Sequence, residues 1–176
     1  MSEFVLGPEL RTYSGRYQQE AHTVARFEEL LASARAFHRD HLPGHFTGSA
    51  WVTTPDRMQV VLVHHLKLGR WLQPGGHADG NTDLHSVACR ELEEETGLKG
   101  LALLGEGIYD LDIHQIPARP DFPAHWHYDV RFAFLSEPVK LVVSHESHDV
   151  RWVPLSELGA FNADESLNRM KQKLLQ

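Results

Sequence analysis

The chain has 176 residues, of which 41% are hydrophobic, and a formal net charge of −7. That length supports one substantial core and is short for two, and the acidic balance argues against a nonspecific nucleic-acid or anionic-membrane surface. No apolar run approaches the ~20 residues needed to span a bilayer, no signal-peptide h-region opens the chain, and a lone cysteine, Cys89, excludes an internal disulfide. A cytoplasmic setting is expected on these grounds.

Residues from about Tyr17 to Arg39 are predicted as one amphipathic helix, because Val24, Phe27, Leu31, Ala34 and His38 follow helical spacing. Packed on the core or against a second copy, it would serve a monomer or a homodimer. The His41-Leu42-Pro43-Gly44 segment breaks it. Strand-like runs follow at Thr47 to Thr53, Gln59 to His65, Trp71-Leu72 and Leu101 to Leu104. Gly107 to Ile116 and His125 to Leu135 read as two more strands around a Pro-rich loop. After Val150 to Val153 the chain turns at Pro154, and a short helix precedes a terminal helix from about Asp164 to Leu175. Strands on both sides of a central helix, with further helices at the ends, predict an α/β fold whose mixed sheet is covered on two faces.

The central helix, about Asp83 to Thr96, carries the chemistry. Its inward stripe runs Leu84, Val87, Ala88, Glu91, Glu95, with Glu94 beside it, so the face begins apolar and turns anionic. Like charges one turn apart repel, and burial raises their pKa values unless a cation neutralises them. Mg²⁺ or Mn²⁺ suits such oxygen donors and keeps waters that a substrate phosphate can displace. Gly75-Gly76 permits close backbone approach and offers carbonyls to the same ion, Arg90 supplies a planar fork for a carboxylate or phosphate, and Gly97 is a helix stop. Thr82 is read as the N-cap, with Asp83 adding first-turn charge. Cys89, mid-helix, is read as packing.

From Gly76 onward this stretch resembles the box of the Nudix hydrolase family, G-x5-E-x7-R-E-U-x-E-E-x-G-U with U aliphatic, through Arg90, Glu91, Leu92, Glu94, Glu95, Gly97 and Leu98. One position departs: the first Glu of the box falls on Thr82. The resemblance implies a Nudix-type α/β/α sandwich over residues 45–160, with 1–44 as an N-terminal helical extension and 161–176 as the C-terminal helix of the same domain. It further implies attack of metal-activated water on a diphosphate linkage in a nucleoside diphosphate joined to another moiety, a small molecule and no nucleic-acid polymer. Metal ligands would be Glu91, Glu94, Glu95 and the Gly75 carbonyl, with Arg90 beside them. Glu146, in Ser144-His145-Glu146-Ser147-His148, is the candidate loop acid for proton transfer. Lys67 and Arg70, flanking a turn, are candidates for substrate phosphate, with Trp71 and His77 on the substrate side. Trp71, Tyr109, Trp126 and Tyr128 are candidate rings for stacking a base.

Histidine is the second unusual feature, with thirteen in the chain. His125 and His127 lie two apart on a predicted strand and share a face, His114 lies on the preceding strand, His77 follows the glycines and His45 stands before the first core strand. Such convergence raises a second, transition-metal site as a side reading. The placing of His45 and His77 is similar to two metal-binding positions of isopentenyl-diphosphate isomerase, which shares the Nudix scaffold. A diphosphate isomerase with a His-bound metal is therefore one alternative. A nucleotide-sensing module without turnover, suggested by Thr82, is the other.

Overall fold

The computed structural model describes residues 4–161 and 165–176. Strand β1 (Gly44–Thr53) is the spine of a sheet completed by β2 (Gln59–His65), β3 (Arg70–Leu72), β4 (Gly75–His77), β5 (Ala102–Leu103), β6 (Asp110–Ile116), β7 (His125–Leu135) and β8 (Ser147–Pro154). Its order runs β3-β2-β1-β7-β5, with β4 also on β1, β6 also on β7 and β8 also on β2. β1 and β7 run parallel along their whole paired length, Gly44 opposite Trp126 to Thr53 opposite Leu135, whereas the other pairings are antiparallel. The sheet is thus mixed, as the strand and helix order implies.

Successive side chains of a strand point to opposite faces, and β1 shows what each face holds. Phe46, Ala50 and Val52 join a core under helices α1 (Leu6–Arg16), α2 (Ala21–Leu31) and α3 (Leu84–Thr96). Trp51 points the other way, into a core built with Leu158 of the 3₁₀ helix Leu155–Phe161 and with Leu167, Met170 and Leu174 of α4 (Glu165–Leu174). Helices therefore cover both faces, giving the α/β/α sandwich. Asp164, read as the start of the terminal helix, lies outside the described residues.

The N-terminal region departs from the single helix expected over 17–39. Val24 and Phe27 are buried as their spacing implies, but the buried set then changes phase to Ala36 and Phe37, while Ala34 and His38 are exposed. One continuous helix cannot carry a face through that shift. α2 accordingly ends at Leu31 and the chain reforms as a 3₁₀ turn, Ala34–Phe37, that delivers Phe37 against Phe46. α1 is an addition: Leu6, Leu10 and Tyr13, at i, i+4 and i+7, bury one side of it, and Pro8 is tolerated because it lies in the first turn.

α3 forms where the periodicity places it, and its ends are chemically marked. Asp83, rather than Thr82, is the cap: its Oδ1 accepts from the Ser86 N–H at 3.0 Å, while Thr82 is exposed. Both residues are competent caps, and the one whose carboxylate reaches the helix amides takes the position. At the other end Gly97 adopts φ 77° and its N–H bonds the Glu93 carbonyl, the left-handed stop that glycine adopts without a Cβ penalty. α3 lies very close to β1, since a Cβ at Gly48 would come 2.6 Å from the Leu84 carbonyl oxygen. That approach sets the helix directly over β4.

Candidate active site

β4 places Gly75 opposite Ser49 and Gly76 opposite Gly48, beneath the last two turns of α3. The buried Glu95, 8% exposed, accepts the Gly75 N–H through Oε2 at 3.0 Å. One turn earlier, the Glu91 carboxylate occupies the space where a side chain on Gly76 would begin: a Cβ there would lie 2.5 and 2.6 Å from its two oxygens. Arg90 fixes that carboxylate, donating from Nη2 to Glu91 Oε1 at 2.6 Å and to the His77 carbonyl at 2.9 Å. Glu94 is exposed on the same end of the helix.

Burial, chiefly, pushes the Glu95 carboxyl up to about 7 against the help of the Gly75 N–H, and the charges of Glu91, Glu146 and Glu94 push it further. Burial likewise raises Glu91, opposed by Arg90 and reinforced by Glu94 and Glu146. Arg90 offsets one of these charges, and carboxylates gathered this way favour a further cation. All the donors are hard oxygens, and glycine at 76 leaves room for them, so the set fits a hard divalent cation such as Mg²⁺ or Mn²⁺ held by Glu91, Glu94, Glu95 and the Gly75 carbonyl.

Glu146 lies on the loop before β8, exposed, with its own carbonyl accepting the Leu66 N–H at 2.9 Å. Its charge reaches Glu91 and Glu95, so the topology brings this distant acid to the helix carboxylates. Lys67 and Arg70 flank the exposed β2–β3 turn. Lys67 lines a groove of about 330 Å³ with Leu68, Pro117, Ala118 and Arg119. Trp71 stacks on His64 at 4.9 Å and meets Phe161 edge-on. Tyr109 is buried with its hydroxyl donating to the Met170 carbonyl at 2.6 Å, and Tyr128 packs against Phe27 and Phe46, so both rings are core. Trp126 lies under the Arg26 guanidinium.

The histidines meet on the opposite face of β1. Register sets His45 and His114 each opposite His127, on β1 and β6 respectively, while β4 brings His77 opposite Thr47. Ring centroids of His45, His77 and His127 are 4.9 to 5.1 Å apart, and His125 stacks on His45 at 5.0 Å. Burial, first, and neighbouring histidines hold His127 down to about 2; burial, then the Arg39 charge and His45, hold His77 down to about 4; and burial also lowers His45. These rings are neutral at pH 7.

Two groups of residues escaped the sequence reading. Arg39 forms a two-pronged pair with Asp79, Nε to Oδ1 at 2.6 Å, and its charge is felt by His77. The second group is a buried charge network below the histidines. Asp129 accepts Thr47 Oγ1, Ser49 Oγ and Arg131 Nε at 2.8, 2.7 and 2.8 Å, and Asp110 accepts Arg131, Arg169 and Lys173. Its signal was present as period-two polar residues, Asp110-x-Asp112-x-His114 and Asp129-x-Arg131.

Comparison with known proteins agrees with this fold. Similar solved structures include the MutT protein of Methanosarcina mazei Go1, with TM-score 0.59, 17% identity and coverage of 73% of this chain and 91% of that one. The dihydroneopterin triphosphate pyrophosphohydrolase of E. coli gives 0.58 at 14% identity, covering 74% and 94%, and the NUDIX domain of Shewanella oneidensis NrtR with ADP ribose gives 0.54 at 21%, covering 73% and 84%. At these identities the likeness is one of fold. No curated protein matches the chain in sequence. The NUDIX domain family, however, matches residues 44–174. That family makes the molecule a hydrolase acting on phosphorus anhydrides. The chain belongs to the NUDIX domain family, whose enzymes generally use divalent metals. Among the described residues no helix is long and apolar enough to cross a membrane.

Proposed function

We propose that the protein hydrolyses the diphosphate linkage of a nucleoside diphosphate joined to another moiety, with Mg²⁺ or Mn²⁺ held by Glu91, Glu94, Glu95 and the Gly75 carbonyl. The supporting observation is the pressing of the Glu91 and Glu95 carboxylates onto the Gly75-Gly76 strand, close enough that any side chain at 76 would displace Glu91. A divalent cation, when bound, supplies positive charge to the phosphoryl oxygens and lowers the pKa of water.

The rest falls to the chain's own groups. Arg90 holds Glu91 in one orientation through its bond to the β4 backbone. Glu95 stays anchored by the Gly75 N–H. Glu146, solvent-exposed and electrostatically coupled to both, accepts the proton of the attacking water. Lys67 and Arg70 bind the substrate phosphates from the β2–β3 turn, where the groove lined by Lys67 and Arg119 offers two cations. The catalytic unit is residues 45–160 with the helix of 161–176, and 1–44 is an extension of it. Two structural relatives bear names of related chemistry, one a triphosphate pyrophosphohydrolase and the other crystallised with ADP ribose.

Thr82 does not favour the non-catalytic alternative. Thr82 lies outside α3, before its Asp83 cap, and a rise of 1.5 Å per residue puts that cap about 12 Å along the helix from Glu91, at the end away from the carboxylate cluster. The test is a library of nucleoside diphosphates and their conjugates assayed for phosphate-group release with Mg²⁺ and with Mn²⁺. Cation-dependent turnover of at least one member is expected; none on any member, with a folded, cation-supplied protein, contradicts the reading.

A further inference from the structure

We propose that His45, His77 and His127 bind one divalent late-transition-metal ion, of the zinc type, at a site separate from the carboxylates of α3. One nitrogen from each ring lies within 4.8 Å of the others. Imidazole ligands around Zn²⁺ at roughly 2.0–2.1 Å stand about 3.4 Å apart, so small side-chain rotations close the triangle. Among the described residues, His45 Nε2 and His127 Nε2 are buried and without a hydrogen-bond partner, and His45 is 1% exposed. Buried polar atoms of this kind call for a water or an ion.

The surrounding hydrogen bonds prepare the donors. His45 Nδ1 faces the His41 carbonyl at 3.4 Å, which leaves Nε2 to present its lone pair. Next to the triad, His125 Nδ1 donates to the Pro123 carbonyl at 2.9 Å, and His114, paired opposite His127, is held by Asp112 at 3.0 Å. Those two rings form the wall of the site, and His114, 42% exposed, stands on the side open to solvent. Three protein nitrogens with a fourth position left to water or substrate is the donor count of an open zinc site. Nitrogen donors select late transition metals and the oxygen donors of α3 select Mg²⁺ or Mn²⁺, so the two sites sort metals by ligand chemistry. They meet at His77, whose carbonyl receives Arg90, the residue that fixes Glu91.

The test is titration of chelator-treated protein with Co²⁺ and Zn²⁺, read by visible d–d absorption, by bound metal per chain and by the rise in Tm that a native-state ligand causes. Wild type is expected to bind one ion per chain with an imidazole-type Co²⁺ spectrum. Glu94→Gln and Glu95→Gln should retain it. His45→Gln, His77→Gln and His127→Gln, three changes on three strands, should each weaken binding by more than the roughly 10–100-fold typical of an outer-shell change. No stoichiometric ion in folded wild type, or binding that follows the glutamates and ignores the histidines, would overturn the proposal. None of the three readouts depends on diphosphate turnover.

Discussion

Glu95 is held between opposing demands: its Gly75 hydrogen bond favours the anion, while burial and three neighbouring acids favour the neutral form and prevail. With a folded pKa of about 7 against about 4.3 in an unfolded chain, the cation-free native state binds the extra proton between those values. Its contribution to stability is therefore greatest below about pH 4.3 and falls as pH rises toward 7. Glu95→Gln should leave Tm nearly unchanged at pH 4 and raise it at pH 8 in cation-free buffer, by on the order of 3–4 kcal/mol in ΔG; equal Tm values at pH 8 would count against the buried anion. The depressed histidines act in the opposite sense, losing stability as pH falls below about 6.5, but they are common to both proteins and cancel in the comparison. Gly76 carries a second test. Gly76→Ala would drive a methyl into the Glu91 carboxylate, and a displacement near 1 Å costs roughly 10²-fold in rate. Steady-state kinetics on whichever diphosphate is turned over should show the loss in kcat, with the fold retained by circular dichroism.

Among the elements, α3 was the most legible. Its carboxylates, its apolar stripe and its glycine stop all lie within one run of sequence, where a 3.6-residue period fixes which side chains share a face. The pair His125 and His127 was legible for the same local reason, strand alternation. Glu146 and Arg39 were not equally fixed, because loops carry them to the site and only tertiary packing sets where they arrive. The N-terminal helices show the other limit. The stripe from Val24 to Phe27 was readable, but the phase change at Ala36 and Phe37 comes from β1 turning back under α2, a requirement no local period encodes. Phe27, fully buried between Phe46 and Tyr128, makes this region part of the main core. Phe27→Ala should cost about 3–5 kcal/mol, measured by urea unfolding; a cost under 1 kcal/mol would mean that α2 is only loosely docked.

On the scale of the whole molecule, the face of the sheet away from α3 carries a buried charge network beside its Trp51 core. Asp110, 0% exposed, accepts Arg131 from β7 and both Arg169 and Lys173 from α4, and Lys173 also pairs with Glu20 beside Tyr13. Asp110 thus joins the sheet to the last helix, and Lys173 extends the network to Tyr13 and Glu20 of the N-terminal region. Removing one partner from a buried ionic cluster typically costs about 3–5 kcal/mol, since the remaining charges stay desolvated. Asp110→Ala should accordingly lower Tm steeply while leaving the α3 carboxylates in place. Above this network sit the histidines, and across β1 lie the glycines and glutamates, so the two proposed sites share a backbone without sharing donors. The overall architecture was legible from the order of strands and helices, but the network was not, because its members come from four elements whose register is set only by the finished sheet. The central claim is that the carboxylates seated on Gly75-Gly76 drive cation-dependent hydrolysis. It is tested most directly by kcat/KM for wild type and Glu95→Gln on the same diphosphate at saturating Mg²⁺. A loss of roughly 10²–10⁴-fold in the variant is expected; a rate within a few-fold of wild type would contradict the account.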